Sequence, residues 1–175
     1  KTSQPDISSA EVQAVQRVQA SGYLGMGHEV EQFELELQQY LGADIFVACV
    51  NTGTSALHLA IESLQLEKNS EILVPSITYS ASFQAITAAG MIPIACEVNR
   101  NNILLDLNDA QRRITSRTKA IMPVHYAGYC GNLNDIYDFS ERNNLRIVED
   151  AAHAFGSSYM GKLIGVTGDI TCFSF

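Results

Sequence analysis

Apolar residues recur along this chain with two periods, and the alternation between them gives a first outline of the fold. In SSAEVQAVQRVQASG the residues Ala10, Val12, Val15 and Val18 stand at helical spacing, with Ser8 or Ser9 placed to cap the start. HEVEQFELELQQYLG repeats the pattern through Val30, Phe33, Leu37 and Leu41, and Gly42 fits a C-cap. IFVACV, residues 45–50, is a continuous apolar run rich in β-formers and too short for a buried helix. It predicts a strand covered on both faces.

The same alternation continues to the end. TSALHLAIESLQL predicts a helix, EILVP a short strand stopped by Pro75, and SASFQAITAAG a helix closed by Gly90. MIPIACEV is strand-like, with Pro93 pointing to an edge or a distorted start. LNDAQRRI predicts a short helix, KAIMPVHY a strand, NLNDIYDFSERNN a helix and LRIVED a strand. GSSYMGKLIG reads as a hairpin turning at Met160 and Gly161, and DITCFSF as a final strand. Strands separated by crossover helices imply an α/β fold of three αβα layers around a mostly parallel sheet. No internal repeat, linker or low-complexity tract interrupts it.

Composition narrows the function classes. The chain has 175 residues, 46% hydrophobic and 17% charged, enough for one domain with a core. A formal net charge of -8 argues against a duplex-binding surface, which needs a basic face, but leaves room for a small anion held by backbone amides. No run approaches the roughly 20 apolar residues of a membrane helix, and the polar N-terminus shows no signal-peptide core. Cys49, Cys96, Cys130 and Cys172 form no CxxC pair, and Cys49, Cys96 and Cys172 lie in apolar runs; buried free thiols in a reducing cytoplasm are expected. No two of His28, His58, His125 and His153 have metal-ligand spacing, so no metal is expected.

In a parallel sheet, ligands bind beyond the carboxyl ends of the strands. The segments just past the strand ends here are NTGT at 51–54, SITY at 76–79, His125 with Tyr126, and DAAH at 150–153. Gly53 allows a tight turn into a helix whose first amides, from about Thr54 to Ala56, form a phosphate cradle with the hydroxyls of Thr52, Thr54 and Ser55. A plain helix cap is the alternative. Neither G-x-G-x-x-G nor GK[ST] is present, which suits a single phosphate and disfavours a NAD enzyme. Tyr79 is placed either to stack on a flat heterocycle or to pack in the core. Asp150, ending its strand, can hold a proton on a pyridine nitrogen and make that ring an electron sink, or can cap a helix. His153, three residues on, can bond a ring substituent or be a structural histidine.

These residues resemble the DegT/StrS-type sugar aminotransferases, fold-type-I enzymes that use pyridoxal 5'-phosphate. The likeness runs in order through GMGHEVEQFE, NTGTSAL, VPSITYSAS, PVHYAG, VEDAAHAFGSSYMGKLIG and GDITCFSF. It implies that residues 1–175 are the N-terminal portion of the cofactor-binding large domain, with the small C-terminal domain outside the chain. It further implies that Gly53, Thr54 and Ser174 hold the cofactor phosphate, Tyr79 stacks on the ring, Asp150 meets the ring nitrogen and His153 sits beside the phenolic oxygen. His125 falls in the PVH segment close to the cofactor. The resemblance also implies that the Schiff-base lysine follows the FSF strand by a few residues and so lies beyond Phe175; Lys68, Lys119 and Lys162 are no credible substitutes, and the isolated chain is then expected not to be competent in catalysis. The implied reaction moves an amino group, from glutamate, to a keto carbon of a nucleotide-linked deoxysugar, in a cytoplasmic homodimer. Two alternatives stay open at this point: a dehydratase with histidine at the lysine position, and a non-catalytic ligand-binding or regulatory module.

Overall fold

The computed structural model describes residues 5–42 and 44–175; the stretch 1–4 of the polar N-terminus and Ala43 lie outside them. The chain divides into two units, one ending at Ala48 and the other spanning Cys49–Phe175.

The first unit carries helices α1 (Ser9–Ser21) and α2 (His28–Leu41). Of the two candidate caps, Ser8 is the one used. Its side chain accepts from the Ala10 amide at 3.1 Å, and the Glu11 carboxylate accepts from the Ser8 amide at 2.6 Å, closing a capping box. Gly22 ends α1 at φ 73, where a left-handed residue closes the last turn. Arg17 forks onto Glu29 at 3.0 and 3.2 Å, joining the two helices on their exposed side.

The second unit runs α3 (Gly53–Ser63), β1 (Glu71–Pro75), α4 (Ser80–Ala88), β2 (Ile92–Cys96), α5 (Leu107–Arg113), β3 (Thr118–Ile121), α6 (Leu133–Arg142), β4 (Arg146–Asp150), the hairpin β5 (Ser158–Tyr159) and β6 (Lys162–Leu163), and β7 (Ile170–Cys172). The main sheet has the order β2-β1-β3-β4-β7, and every pairing in it is parallel. β2 is an outer strand, which is where Pro93, lacking an amide, is tolerated. The hairpin turns through Met160 at φ 49 and Gly161 at φ 78, the positive values a two-residue loop requires.

Side chains alternate across the pleat, and this builds two cores. Ile72, Val74, Ala120, Met122, Val148 and Cys172 face one way, against Leu57 and Ile61 of α3 and Ala85 and Ile86 of α4. Leu73, Ile121 and Ile147 face the other way, against Ala110 of α5 and Phe139 of α6. The result is the three-layer αβα arrangement that the periodicity predicts.

Two expectations are corrected. Residues 45–50 form no strand, and Phe46 is 94% exposed. A strand is stabilised by its ladder, and none forms with this run among the described residues; an apolar sequence alone does not supply one. Within KAIMPVHY the regular strand ends at Ile121, since Pro123 has no amide to give the ladder. Val124 makes a single bridge to Asp150, and the chain then turns through Tyr126–Gly128.

Buried acids pin the layers. Glu71, at the start of β1, accepts from Thr115 Oγ1 at 2.5 Å, Thr118 Oγ1 at 3.0 Å and Arg117 Nη2 at 2.6 Å; these hydrogen bonds, led by Thr115, lower its pKa despite burial. Asp109 of α5 takes the Glu97 amide at 2.8 Å and Arg113 Nε at 2.5 Å, tying α5 to the end of β2. Glu149 of β4, fully buried, meets His125 Nε2 at 2.7 Å and accepts from Tyr137 Oη at 3.0 Å. Burial first, then the charge of Glu149, pushes the Tyr137 hydroxyl up.

Substitutions at two of these pins have distinct expected outcomes. Gly168 sits at φ +87, and a Cβ there would lie 2.5 Å from Glu149 Oε1, whereas Gly161, at φ +78, has nothing within 4 Å. Gly161→Ala should cost only the backbone term, about 1–2 kcal/mol, and Gly168→Ala measurably more, read as a larger drop in urea midpoint of the full-length protein. Asp109 is held at about 2, below its ordinary 3.8, chiefly by the Arg113 guanidinium and then by the Glu97 amide. A depressed carboxyl contributes stability that is full above its unfolded value and is lost as pH falls through the folded one. Asp109→Asn should therefore lower the urea midpoint at neutral pH yet flatten its further decline between about pH 4 and about pH 2.

Candidate functional site

β4 and β7 end side by side, with Asp150 opposite Cys172 in the ladder. The chain beyond each tip, together with the starts of α3 and α4, forms one rim. At the α3 start, Thr52 is the N-cap: its Oγ1 accepts from the Ser55 amide at 3.0 Å and donates to Ser55 Oγ at 3.0 Å. The Ala56 amide goes to the Thr52 carbonyl. This corrects the expected cradle of amides from Thr54 to Ala56. The amides left without a protein partner among the described residues are those of Gly53 and Thr54, and the Thr52 hydroxyl is already used as a cap.

Gly53 lies against Ser174. A Cβ on Gly53 would be 3.1 Å from Ser174 Cβ and 3.2 Å from Ser174 Oγ. Residues 121 apart in sequence are thus brought together, and glycine is what allows the α3 backbone to approach the chain beyond β7 so closely. Thr54 and Ser174 are exposed.

Asp150 is 5% exposed, and its carboxylate is held from α4. Ser82 Oγ donates to Asp150 Oδ2 at 2.8 Å, and Ser82 Oγ lies 2.7 Å from Thr78 Oγ1. The Ala152 amide makes a longer contact to Oδ1, 3.3 Å. No helix begins at DAAHA; Ala154 N closes a turn on the Ala151 carbonyl instead. The Cys172 thiol behind Asp150 is pushed up to about 12, first by burial and then by the Asp150 charge.

Tyr79 is the N-cap residue of α4, one position from Thr78, and 77% exposed, so its ring is not a core residue. His153 is exposed, its ring edge-on to Tyr126 at 6.3 Å and 71°. Gly128, at φ +82, would place a Cβ 3.1 Å from the His153 carbonyl oxygen, so this turn packs tightly on 153. His125 is not on the open rim: it is 2% exposed and engaged with Glu149 on the far face of the sheet.

The rim therefore assembles two free amides, the Ser174 hydroxyl, a nearly buried carboxylate and an exposed aromatic ring. Ser82 and Thr78 lie within VPSITYSAS but are given no role by it: a serine within an apolar helix reads as filler until the fold brings β4 to it. Glu149 is likewise invisible as a pin beside Asp150.

Residues 5–175 match the model of the DegT/DnrJ/EryC1/StrS aminotransferase family. The chain is 36% identical over 173 residues to the dTDP-4-dehydro-2,3,6-trideoxy-D-glucose 4-aminotransferase of Saccharopolyspora spinosa, covering 98% of this chain and 45% of that protein. It is 39% identical over 162 residues to the dTDP-3-amino-3,4,6-trideoxy-alpha-D-glucose transaminase of Streptomyces venezuelae, covering 93% and 42%. Among solved structures, the PLP-form of Spr1654 from Streptococcus pneumoniae superposes with a TM-score of 0.92 at 31% identity, covering 99% of this chain and 48% of that one. The chain thus spans less than half the length of these relatives.

The α3 cap can be tested alone. Thr52→Val keeps the side-chain shape and removes the Oγ1 that accepts the Ser55 amide. It should destabilise the protein by about 1 kcal/mol in urea unfolding, with Thr52→Ser close to wild type.

Proposed function

The chain belongs to the DegT/DnrJ/EryC1/StrS aminotransferase family, and on that footing we propose that it is the N-terminal portion of the cofactor-binding domain of a pyridoxal 5'-phosphate-dependent sugar aminotransferase. The reaction proposed is transfer of an amino group from glutamate to a keto carbon of a nucleotide-linked deoxysugar. The two relatives named above carry their nitrogen at different sugar carbons, so the reading stops at the substrate class. A cytoplasmic homodimer belongs to the same reading.

The observation that carries it is the contact of Gly53 with Ser174, 3.1 Å from a virtual Cβ, at the same rim as the buried Asp150. A side chain at 53 would fill the space where two free amides and a hydroxyl meet, and those neutral donors beside a helix N-terminus suit a phosphate. The residues present fit the group. In this reading the Gly53 and Thr54 amides and the Ser174 hydroxyl bind the phosphate. Tyr79 covers one face of the ring and excludes water from it, His153 donates to the phenolic oxygen, and the Asp150 carboxylate accepts the ring N–H. Bound in this way, the cofactor supplies an electron sink for the carbon that loses a proton. The lysine that moves that proton is assigned to sequence beyond Phe175.

The test uses full-length protein, pyridoxal phosphate, glutamate and a panel of nucleotide-linked keto-sugars, with 2-oxoglutarate as readout. Asp150→Asn should keep the fold and lower turnover on the order of 10²–10³-fold. Near-normal turnover in that variant would remove the role given to Asp150. A visible cofactor absorbance bleached by borohydride separates an enzyme of this type from a ligand-binding module, which would show none.

A further inference from the structure

The carboxylate of Asp150 is met by hydroxyls to which the sequence reading gives no role. We propose that Thr78 and Ser82 form a hydroxyl relay that positions Asp150 for the ring nitrogen of the cofactor, an inference that rests on the role proposed for Asp150 in the preceding subsection. Both are positioning residues, acting through the carboxylate.

Pleat parity accounts for the placement. Asp150 shares its side of β4 with Val148, which packs in the core beneath α3 and α4. The buried positions of α4 are Ala81, Ser82, Ala85 and Ile86, so Ser82 is the polar member of the face laid on that core. Ser82 is 0% exposed. Alanine is the better helix former and would meet no desolvation penalty there. A serine in a helix commonly bonds back to a carbonyl of the preceding turn. Here its hydroxyl leaves the helix and donates to Asp150 Oδ2 at 2.8 Å, across 68 residues of sequence.

The protons of the relay can be assigned. A serine hydroxyl has one hydrogen, and the Ser82 hydrogen is given to the carboxylate. The 2.7 Å contact between Thr78 and Ser82 must then be a donation from Thr78 Oγ1. The direction is Thr78 to Ser82 to Asp150, with each donor fixing the rotor of the next.

The consequence lies in the carboxylate plane. The χ2 torsion of an aspartate is broad and two-fold, so an unpinned carboxylate samples many planes. Ser82 occupies Oδ2, while among the described residues Oδ1 has only the longer Ala152 contact at 3.3 Å and keeps a lone pair for an incoming N–H. The relay therefore turns a swinging acceptor into an oriented one, which is where small misplacements cost most. Its outer end, Thr78, is adjacent to Tyr79, so one short segment carries both the ring proposed to stack and the hydroxyls that aim the acid.

The experiment compares binding of two ligands to full-length apoprotein by equilibrium dialysis: pyridoxal phosphate, and its analogue with carbon in place of the ring nitrogen. Wild type should prefer pyridoxal phosphate. Ser82→Ala should shrink that preference about tenfold, with affinity for the carbon analogue little changed. Thr78→Val, which leaves Ser82 in place, should shrink it in the same direction by a smaller factor and serves where Ser82→Ala fails to fold. Equal weakening of both ligands in these variants would show a packing role and overturn the relay. An unchanged preference in Ser82→Ala and Thr78→Val, with the preference lost in Asp150→Asn, would overturn the relay alone. An unchanged preference in Asp150→Asn would overturn the assignment of Asp150, and the relay with it.

Discussion

The alternation of side chains along β4 is the constraint on which the unit spanning Cys49–Phe175 turns. Consecutive acids, Glu149 and Asp150, leave the same strand in opposite directions. Glu149 goes to the α6 side and is sealed with His125 and Tyr137. Asp150 goes to the α3 and α4 side, where among the described residues it meets a single hydroxyl donor and a long amide contact. One acid is thus consumed by structure, and its neighbour is left with an open acceptor at the rim. A one-residue slip of β4 in its ladder would exchange the two and bury the open acceptor.

That division shows why the Glu149–His125 pair matters to the rim without touching it. The His125 amide donates to the Asp150 carbonyl at 3.0 Å, and the Asp150 amide donates to the Pro123 carbonyl at 2.9 Å. The backbone of Asp150 is therefore clamped to the segment that Glu149 holds from behind. The Ala151 amide, bonded to the Cys172 carbonyl at 2.9 Å, fixes the other flank. Backbone clamps set the Cα of Asp150, and Ser82 sets its carboxylate plane.

Much of this architecture is legible in the sequence because its causes are local. The capping of α1, the end of α2 at Gly42, the outer position of the Pro93 strand and the turn at Met160 and Gly161 each depend on a residue whose backbone preference decides the outcome. The parallel sheet is implied by alternating periods, and the rim by the rule that ligands meet strand tips. The features that cannot be read this way depend on who the neighbour is. Residues 45–50 have strand chemistry and no ladder among the described residues. His125 looks like a rim residue in the sequence and is a buried partner of Glu149 in the fold. Ser82 gains its meaning only when β4, 68 residues later, is laid beneath α4. Periodicity encodes which face is buried; it does not encode which polar atom waits on the other side.

The distribution of charge supports the same separation of tasks. The chain has 11 basic and 19 acidic residues, yet a phosphate is assigned to it. Five arginines, Arg17, Arg112, Arg113, Arg117 and Arg146, are engaged with carboxylates. Two of these pairs lie at the amino ends of strands: Arg117 with Glu71 at the start of β1, and Arg146 with Asp169 just before β7. Arg112 and Arg113 are taken up by Asp109 past the carboxyl end of β2, whereas the rim beside β4 and β7 carries amides, hydroxyls and the Asp150 carboxylate. An anion at the α3 start, as proposed, would be bound by fixed dipoles at short range, where surface acids more than a Debye length of about 8–10 Å away are largely screened. Among the described residues no guanidinium pairs with the Asp150 carboxylate, which in the proposed reading would leave its charge to a ring N–H. A negative protein can hold a negative phosphate on these terms, since the local field at a helix start does not depend on the sign of the net charge.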